Sequence, residues 1–332
     1  LLQLRLLMMK YKLKQEKAPS LLTENNETNL VSNLIDILPF TLTKAQKRVF
    51  KEVENDLKLG APMSRLVQGD VGSGKTVIAI LTLLVAVQAK WQGALMAPTE
   101  VLAQQHFKNL CKWLPELHVT VDLLTGSTTI KKRKQILDDL STGNLNIIVG
   151  THALIEDVVK FQRLGVVVID EQHRFGVNQR NKLLNKGLQP HLLTMTATPI
   201  PRTLSLSVHG DLDVSHLDEL PPGRKPTRTS LILSKERYKA YDLIKERVLD
   251  GEQIYYVLPL VQESEKLDLR SAIDVFNELS TEIFPDLQVG LLHGKLNTRE
   301  KESVLEKFSN GQISILVSTT VIEVGIDVPE AT

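Results

Sequence analysis

The 332-residue chain is 42% hydrophobic and 24% charged, and its 40 basic against 39 acidic side chains leave a formal net charge of +1. This is the balance of a globular protein long enough for two domains, and it excludes a strongly basic whole, so any nucleic acid must be held by a local surface. The single cysteine, Cys111, excludes an internal disulfide, the eight histidines have no cysteine partners for a zinc site, and no tract reaches the ~18 apolar residues of a membrane span.

In chain order, residues 1–17 have helical content and a basic end: Lys10, Lys12, Lys14 and Lys17 against Glu16. The apolar start lacks a basic leader and a small-residue cleavage site, so no signal peptide is expected there. Polar residues 23–29 then interrupt the pattern as a linker does. Beyond Pro39, apolar runs rich in Val, Ile and Leu recur at 65–67, 94–96, 119–124, 147–149, 166–169 and 192–195. Amphipathic stretches such as 101–113 and 132–140 lie between them. Such alternation predicts an α/β domain with a parallel sheet covered on both faces. Cys111 falls in the 101–113 helix, where a buried thiol is expected. Lys131-Lys132-Arg133-Lys134 opens a helix carrying Ile136, Leu137 and Leu140, so these cations read as a solvated face rather than a DNA patch.

Pro221-Pro222-Gly223-Arg224-Lys225-Pro226 denies helix and strand alike and reads as an interdomain linker. Strands are then expected at 230–233, 254–258, 289–292 and 313–317, with helices at 235–249, 272–283 and 298–308. The second lobe stops soon after its last strand and so reads as truncated. No internal repeat is evident at a period of about 20–50 residues, and the two lobes share a pattern only. The expected organisation is a linker helix and connector over 1–37, a first α/β lobe over 38–220, a linker over 221–228 and an incomplete second lobe over 229–332.

Gly69-Asp70-Val71-Gly72-Ser73-Gly74-Lys75-Thr76 fits G-x-x-x-x-G-K-[ST] at every fixed position, between a strand and a helix. The glycines let backbone N–H groups turn around phosphate oxygens, and the helix N-terminus adds its positive end. Lys75 is placed to reach the β- and γ-phosphates and Thr76 to ligate Mg²⁺, which predicts a nucleoside triphosphate·Mg²⁺ site of the kind kinases, GTPases, transporter ATPases and helicases share. The apolar strand 166–169 ends in Asp170-Glu171-Gln172-His173. Asp170 stands where an acid would hold the metal, and Glu171 where a carboxylate would polarise the attacking water. Further polar turns follow predicted strands: Ala97-Pro98-Thr99-Glu100, Thr125-Gly126-Ser127, Gly150-Thr151-His152 and Thr196-Ala197-Thr198-Pro199. They fall at the carboxyl edge of the sheet, where donors can meet a nucleic-acid backbone without reading bases.

In these motifs the chain resembles superfamily 2 helicases, and among them the RecG family. The resemblance rests on Met96 to His106, on Val168-Ile169-Asp170-Glu171-Gln172-His173-Arg174-Phe175-Gly176-Val177, and on Met195 to Leu204. It extends to Gly210-Asp211-Leu212-Asp213-Val214, Asp218 to Arg224, Tyr256 to Leu260, Leu292-His293-Gly294-Lys295 and Ser318 to Pro329. A transcription–repair coupling translocase shares the Phe-Gly-Val run; Gln172-His173 and Gly72-Ser73-Gly74 favour RecG. The resemblance implies two RecA-like lobes with parallel sheets. It implies ATP-driven translocation on branched duplex DNA, at forks and Holliday junctions, by a monomer in a bacterial cytoplasm or an organelle. By resemblance Gln46 would read the adenine edge, and Gly325 and Asp327 would approach the nucleotide when the cleft closes. Pro98, Thr99, Gly126, Thr151, His293 and Thr319 would contact DNA, with Thr196 and Thr198 coupling the two sites. The family's wedge domain and its arginine-bearing motif VI do not fall within the 332 residues. These residues alone are therefore expected to bind ATP·Mg²⁺ but hydrolyse it poorly, or to serve as an ATP-gated DNA-binding module.

Overall fold

A computed structural model describes residues 18, 21, 29–198, 212–219, 228–258, 265–319 and 331. The chain divides into two compact units, Leu1–Arg224 and Lys225–Thr332.

In the first unit, Asn29 caps α1 (Leu30–Ile37), and a reciprocal Thr43–Gln46 capping box starts α2 (Lys44–Lys58). Strand β1 (Ser64–Gly69) leads into α3 (Lys75–Gln88), where every residue of 77–87 is buried. A helix apolar on all sides must be enclosed, and α3 is: α1 and α2 cover one side while β1, β2 (Gln92–Met96) and β5 (Leu164–Ile169) cover the other. The chain continues through α4 (Glu100–Trp113), β3 (Val121–Leu124), α5 (Ile130–Thr142) and β4 (Ile147–Gly150). After β5 come α6 (Val177–Leu184), β6 (His191–Thr196) and β7 (Asp213–Leu217).

These strands form one parallel sheet in the order β3-β4-β2-β5-β6-β1-β7. Both faces are buried. Along β5, Val166 and Val168 enter the core beneath α3 and α4, whereas Val167 and Ile169 enter the core beneath α5 and α6. That alternation is why the strand reads as an uninterrupted apolar run.

The second unit carries α7 (Arg237–Leu249), β8 (Ile254–Val257), α8 (Glu265–Glu278), β9 (Val289–Leu292), α9 (Thr298–Ser309) and β10 (Ile315–Ser318). Its parallel sheet has the order β8-β10-β9, around a core of Ile254, Leu279, Phe284, Ile315 and Val317.

The two units repeat one another more closely than their shared pattern indicates. The order β3-β4-β2 matches β9-β10-β8. Leu140-Ser141-Thr142-Gly143 ends α5 as Phe308-Ser309-Asn310-Gly311 ends α9, both with a glycine at positive φ. Gln92 donates its side-chain amide to the carbonyls of Leu140 (3.0 Å) and Leu145 (2.8 Å). Gln253 does the same to Phe308 and to Ile313 (2.8 Å). The repeat spacing is far longer than that of a solenoid.

Four sequence expectations need correction. Residues 228–233 form no strand: nothing among the described residues pairs with them, and Leu231 stays 92% exposed. Cys111 is exposed, because the core stripe of α4 is Leu102, Ala103, His106 and Leu110. The strand expected over 119–124 begins at Val121, since Thr120 turns its hydroxyl to Asn144 and Asn146. The strand β7 was not anticipated. The 221–227 linker and residues 1–17 lie outside the described residues; of the cations of α5, Lys131, Lys132 and Lys134 are exposed, whereas Arg133 is partly buried and pairs with Glu156.

Candidate active site

The G-x-x-x-x-G-K-T loop runs from the end of β1 to the start of α3, as its sequence requires. Ser73 N–H donates to the Asp70 carbonyl (3.1 Å), closing the turn, and Gly72 and Gly74 sit at φ +75° and +90°. Gly74 is required twice over, because a Cβ there would also lie 2.1 Å from Gln46 Nε2. Lys75 Nζ donates to the carbonyls of Gly69 (2.7 Å) and Asp70 (2.9 Å), so the ammonium curls over its own loop. Thr76 follows in the first turn of α3, half-buried.

Gln46 is 2% exposed and its amide is committed at both ends. Its oxygen accepts from Thr43 N–H (2.9 Å) and its nitrogen donates to the Ser73 carbonyl (3.0 Å). In this structure it braces the phosphate loop, and reading a base edge would require one of these bonds to open.

Asp170 N–H donates to the Met96 carbonyl (2.9 Å), which carries the β5–β2 ladder one residue further and sets the side chain at the carboxyl edge. Its Oδ1 accepts from Glu171 N–H (3.0 Å) and its Oδ2 is 2.8 Å from His106 Nε2. Glu171 lies at φ +46°, a conformation that costs a non-glycine residue about 1 kcal/mol. That turn points its carboxylate inward, toward Ala197 N–H (3.3 Å), Thr196 Oγ1 (3.3 Å) and His173 Nδ1 (3.5 Å). Burial and then the Asp170 charge push the Glu171 carboxyl above its ordinary range, against the opposing pull of Lys75, Ala197 N–H and His173. Thr196 Oγ1 is 2.9 Å from Thr198 Oγ1, and Gln68 holds the Thr198 carbonyl (3.1 Å). The ends of β1, β5 and β6 are thus joined by one polar network.

A second group occupies the ends of β2, β3 and β4. Pro98 precedes Thr99, whose hydroxyl caps α4 by accepting from Leu102 N–H (3.3 Å). The Glu100 carboxylate accepts from Ser127 N–H (3.2 Å) and Ser127 Oγ (2.8 Å), fixing the turn that holds Gly126. Thr151 N–H donates to the Leu124 carbonyl (3.3 Å), and its buried hydroxyl has no partner among the described residues. In the second unit Thr319 repeats this bond, to Leu292 (3.4 Å), beside His293 at the end of β9. Gly325 and Asp327 lie outside the described residues.

Among the described residues no three His, Cys, Asp or Glu side chains cluster as a metal cage. One carboxylate, Asp170, and one hydroxyl, Thr76, are the oxygen donors that would hold a Mg²⁺ carried by a nucleotide.

The DEAD/DEAH box helicase family model matches residues 43–206, and the helicase conserved C-terminal domain model matches residues 238–332. The ATP-dependent DNA helicase RecG of Synechocystis sp. is 55% identical across 100% of this chain, which covers 40% of that relative. RecG of Aquifex aeolicus is 51% identical, again over 100% of this chain and 42% of its own length. A solved structure of RecG bound to a three-way DNA junction superposes with TM-score 0.81 at 42% identity, over 99% of this chain and 43% of that one. The chain belongs to the RecG family. It spans about two-fifths of the length of the curated RecG relatives it matches. S. cerevisiae Dbp5 bound to RNA and ADP BeF3 shares the fold alone, with TM-score 0.66 at 19% identity over 93% of this chain and 78% of its own.

In this RecG-family chain the sheet order divides the edge. The phosphate loop, Asp170 and Thr196 stand on the contiguous strands β1, β6 and β5; Pro98, Gly126 and Thr151 stand on β2, β3 and β4. His106 and Glu100 were not recognised as site residues from sequence, although both lie in the quoted Met96 to His106 segment. The available signal was a histidine at the otherwise apolar i, i+3, i+4, i+7 stripe of α4.

Proposed function

We propose that this chain is the ATP-driven motor of a RecG-type DNA helicase, acting on branched duplex DNA such as forks and Holliday junctions in recombination and repair. One observation carries the reading: a lysine-bearing phosphate loop and the Asp170–Glu171 pair share one sheet edge with a separate row of backbone-facing polar turns. The family membership and the RecG–junction complex support DNA as the partner. Lys75 leaves the Gly69 and Asp70 carbonyls to hold the β- and γ-phosphates of ATP, beside the N–H groups of 69–74. Thr76 and Asp170 would hold Mg²⁺, which would neutralise negative charge on the phosphates. Glu171 accepts the proton of the attacking water, and its raised proton affinity suits that task. Thr196 and Thr198 relay between Glu171 and β1. Pro98, Thr99, Gly126 and Thr151 take DNA phosphates, joined in the second unit by His293 and Thr319, and Gly325 and Asp327 are assigned to the nucleotide by motif alone. A single copy, in a bacterial cytoplasm or a bacterium-derived organelle, suffices. In the full-length protein, Glu171→Gln should bind a three-way junction and ATP normally but unwind it at least ~10²-fold more slowly, the usual worth of a positioned base. Unaltered unwinding by that variant would refute the reading.

A further inference from the structure

His106 stands apart from the motif roles above. It is a 4% exposed imidazole on the buried stripe of α4 that also carries Leu102, Ala103 and Leu110, in a position where an apolar side chain would pack at no cost in desolvation. Its Nε2 is 2.8 Å from Asp170 Oδ2. An ionised carboxylate only accepts, so the proton of this bond is on Nε2. Nδ1 is buried with no partner among the described residues, and a bare nitrogen acceptor is tolerated there better than a stranded N–H. The bond fixes one oxygen of a carboxylate whose other oxygen is fixed by Glu171 N–H (3.0 Å). With a donor on each oxygen the carboxylate plane cannot rotate, while each oxygen keeps a free lone-pair direction for a further ligand.

Building on the assignment of Asp170 to the nucleotide-borne Mg²⁺, we propose that His106 is a positioning residue for that metal acid. It holds Asp170 in its ligating orientation from a helix whose own start is Thr99. Seven residues separate Thr99 from His106, about 10 Å along the axis at 1.5 Å per residue. The row of polar turns and the metal acid are therefore attached to the two ends of one rigid two-turn segment. Outer partners of metal ligands commonly change metal affinity ~10–100-fold when removed.

The test is a Mn²⁺ titration of the chain in the presence of ADP, read by the loss of the free Mn²⁺ electron paramagnetic resonance signal. His106→Asn retains a polar side chain but is too short to reach Asp170, and should weaken Mn²⁺ binding by about tenfold or more while metal-free ADP binds as before. His106→Gln places its amide nitrogen near the position of Nε2 and should recover most of the affinity. Equal Mn²⁺ affinity in wild type and His106→Asn overturns the proposal, as does equal loss in Asn and Gln, which marks a packing role only. Asp170→Asn is the separate control. If it binds Mn²⁺ as tightly as wild type, the assignment of Asp170 to the metal fails, and the positioning role falls with it for that distinct reason.

Discussion

At Gly74 two demands meet on one atom: the backbone is left-handed at φ +90°, and the Gln46 amide occupies the place of a side chain. Gly74→Ala should therefore cost about 1–2 kcal/mol from the backbone alone, and more from displacing Gln46. Urea denaturation together with binding of a fluorescent ADP analogue checks this; a variant of wild-type stability and affinity would contradict it. His293 gives a second residue-scale prediction. Burial, then Lys301 and Lys295, hold its imidazole below the ordinary 6.5, with Glu300 opposing. Below about pH 6.5 the unfolded chain takes up the proton before the folded one, so stability is complete above that pH and declines as pH falls toward the depressed value. His293→Gln should flatten this dependence in thermal melts compared between about pH 7.5 and about pH 5.5. Identical slopes in variant and wild type would remove His293 as the cause.

At the scale of elements, the glutamine that opens β2 ties three segments together. Gln92 is 4% exposed, donates to Leu140 and Leu145, and accepts from Arg163 N–H (3.0 Å). Gln92→Leu leaves three backbone groups without that partner and should destabilise the first unit by about 2–4 kcal/mol, measurable as a lower urea midpoint at unchanged slope. A shift within error would mean that water replaces the amide. Strands β2, β4 and β5 were legible because burial on both faces writes them as nearly continuous apolar runs, and β1 and β6 through the shorter apolar segments Leu66-Val67 and Leu192-Leu193. Strand β7 was not: among the described residues Asp213-Val214-Ser215-His216-Leu217 pairs only with β1, and within it Ser215 and Leu217 alone are buried. The apolar run 230–233 misled for the opposite reason, having strand composition without a pairing partner among the described residues. The repeat between units was hidden because it resides in backbone-directed glutamines and glycine caps rather than in a short period.

At the scale of the whole chain, the motifs along the sheet edge were legible one by one, but their grouping was not, because strand order is a property of the fold. Only the order β3-β4-β2-β5-β6-β1 shows that the residues proposed to hold nucleotide and those proposed to meet the DNA backbone form two adjoining halves, with α4 bridging them. Polar turns directed at phosphates should give DNA affinity that falls steeply with salt and depends little on base sequence. Junction binding measured at about 50 mM and about 200 mM salt tests this, and a salt-independent affinity would argue against backbone contacts. Every proposed step depends on the phosphate loop. The most direct measurement is equilibrium binding of a fluorescent ATP analogue with Mg²⁺ to wild type and Lys75→Ala. Loss of one charge-assisted contact worth about 1.5–3 kcal/mol predicts roughly 10–100-fold weaker binding. Equal affinity in the two proteins would contradict it.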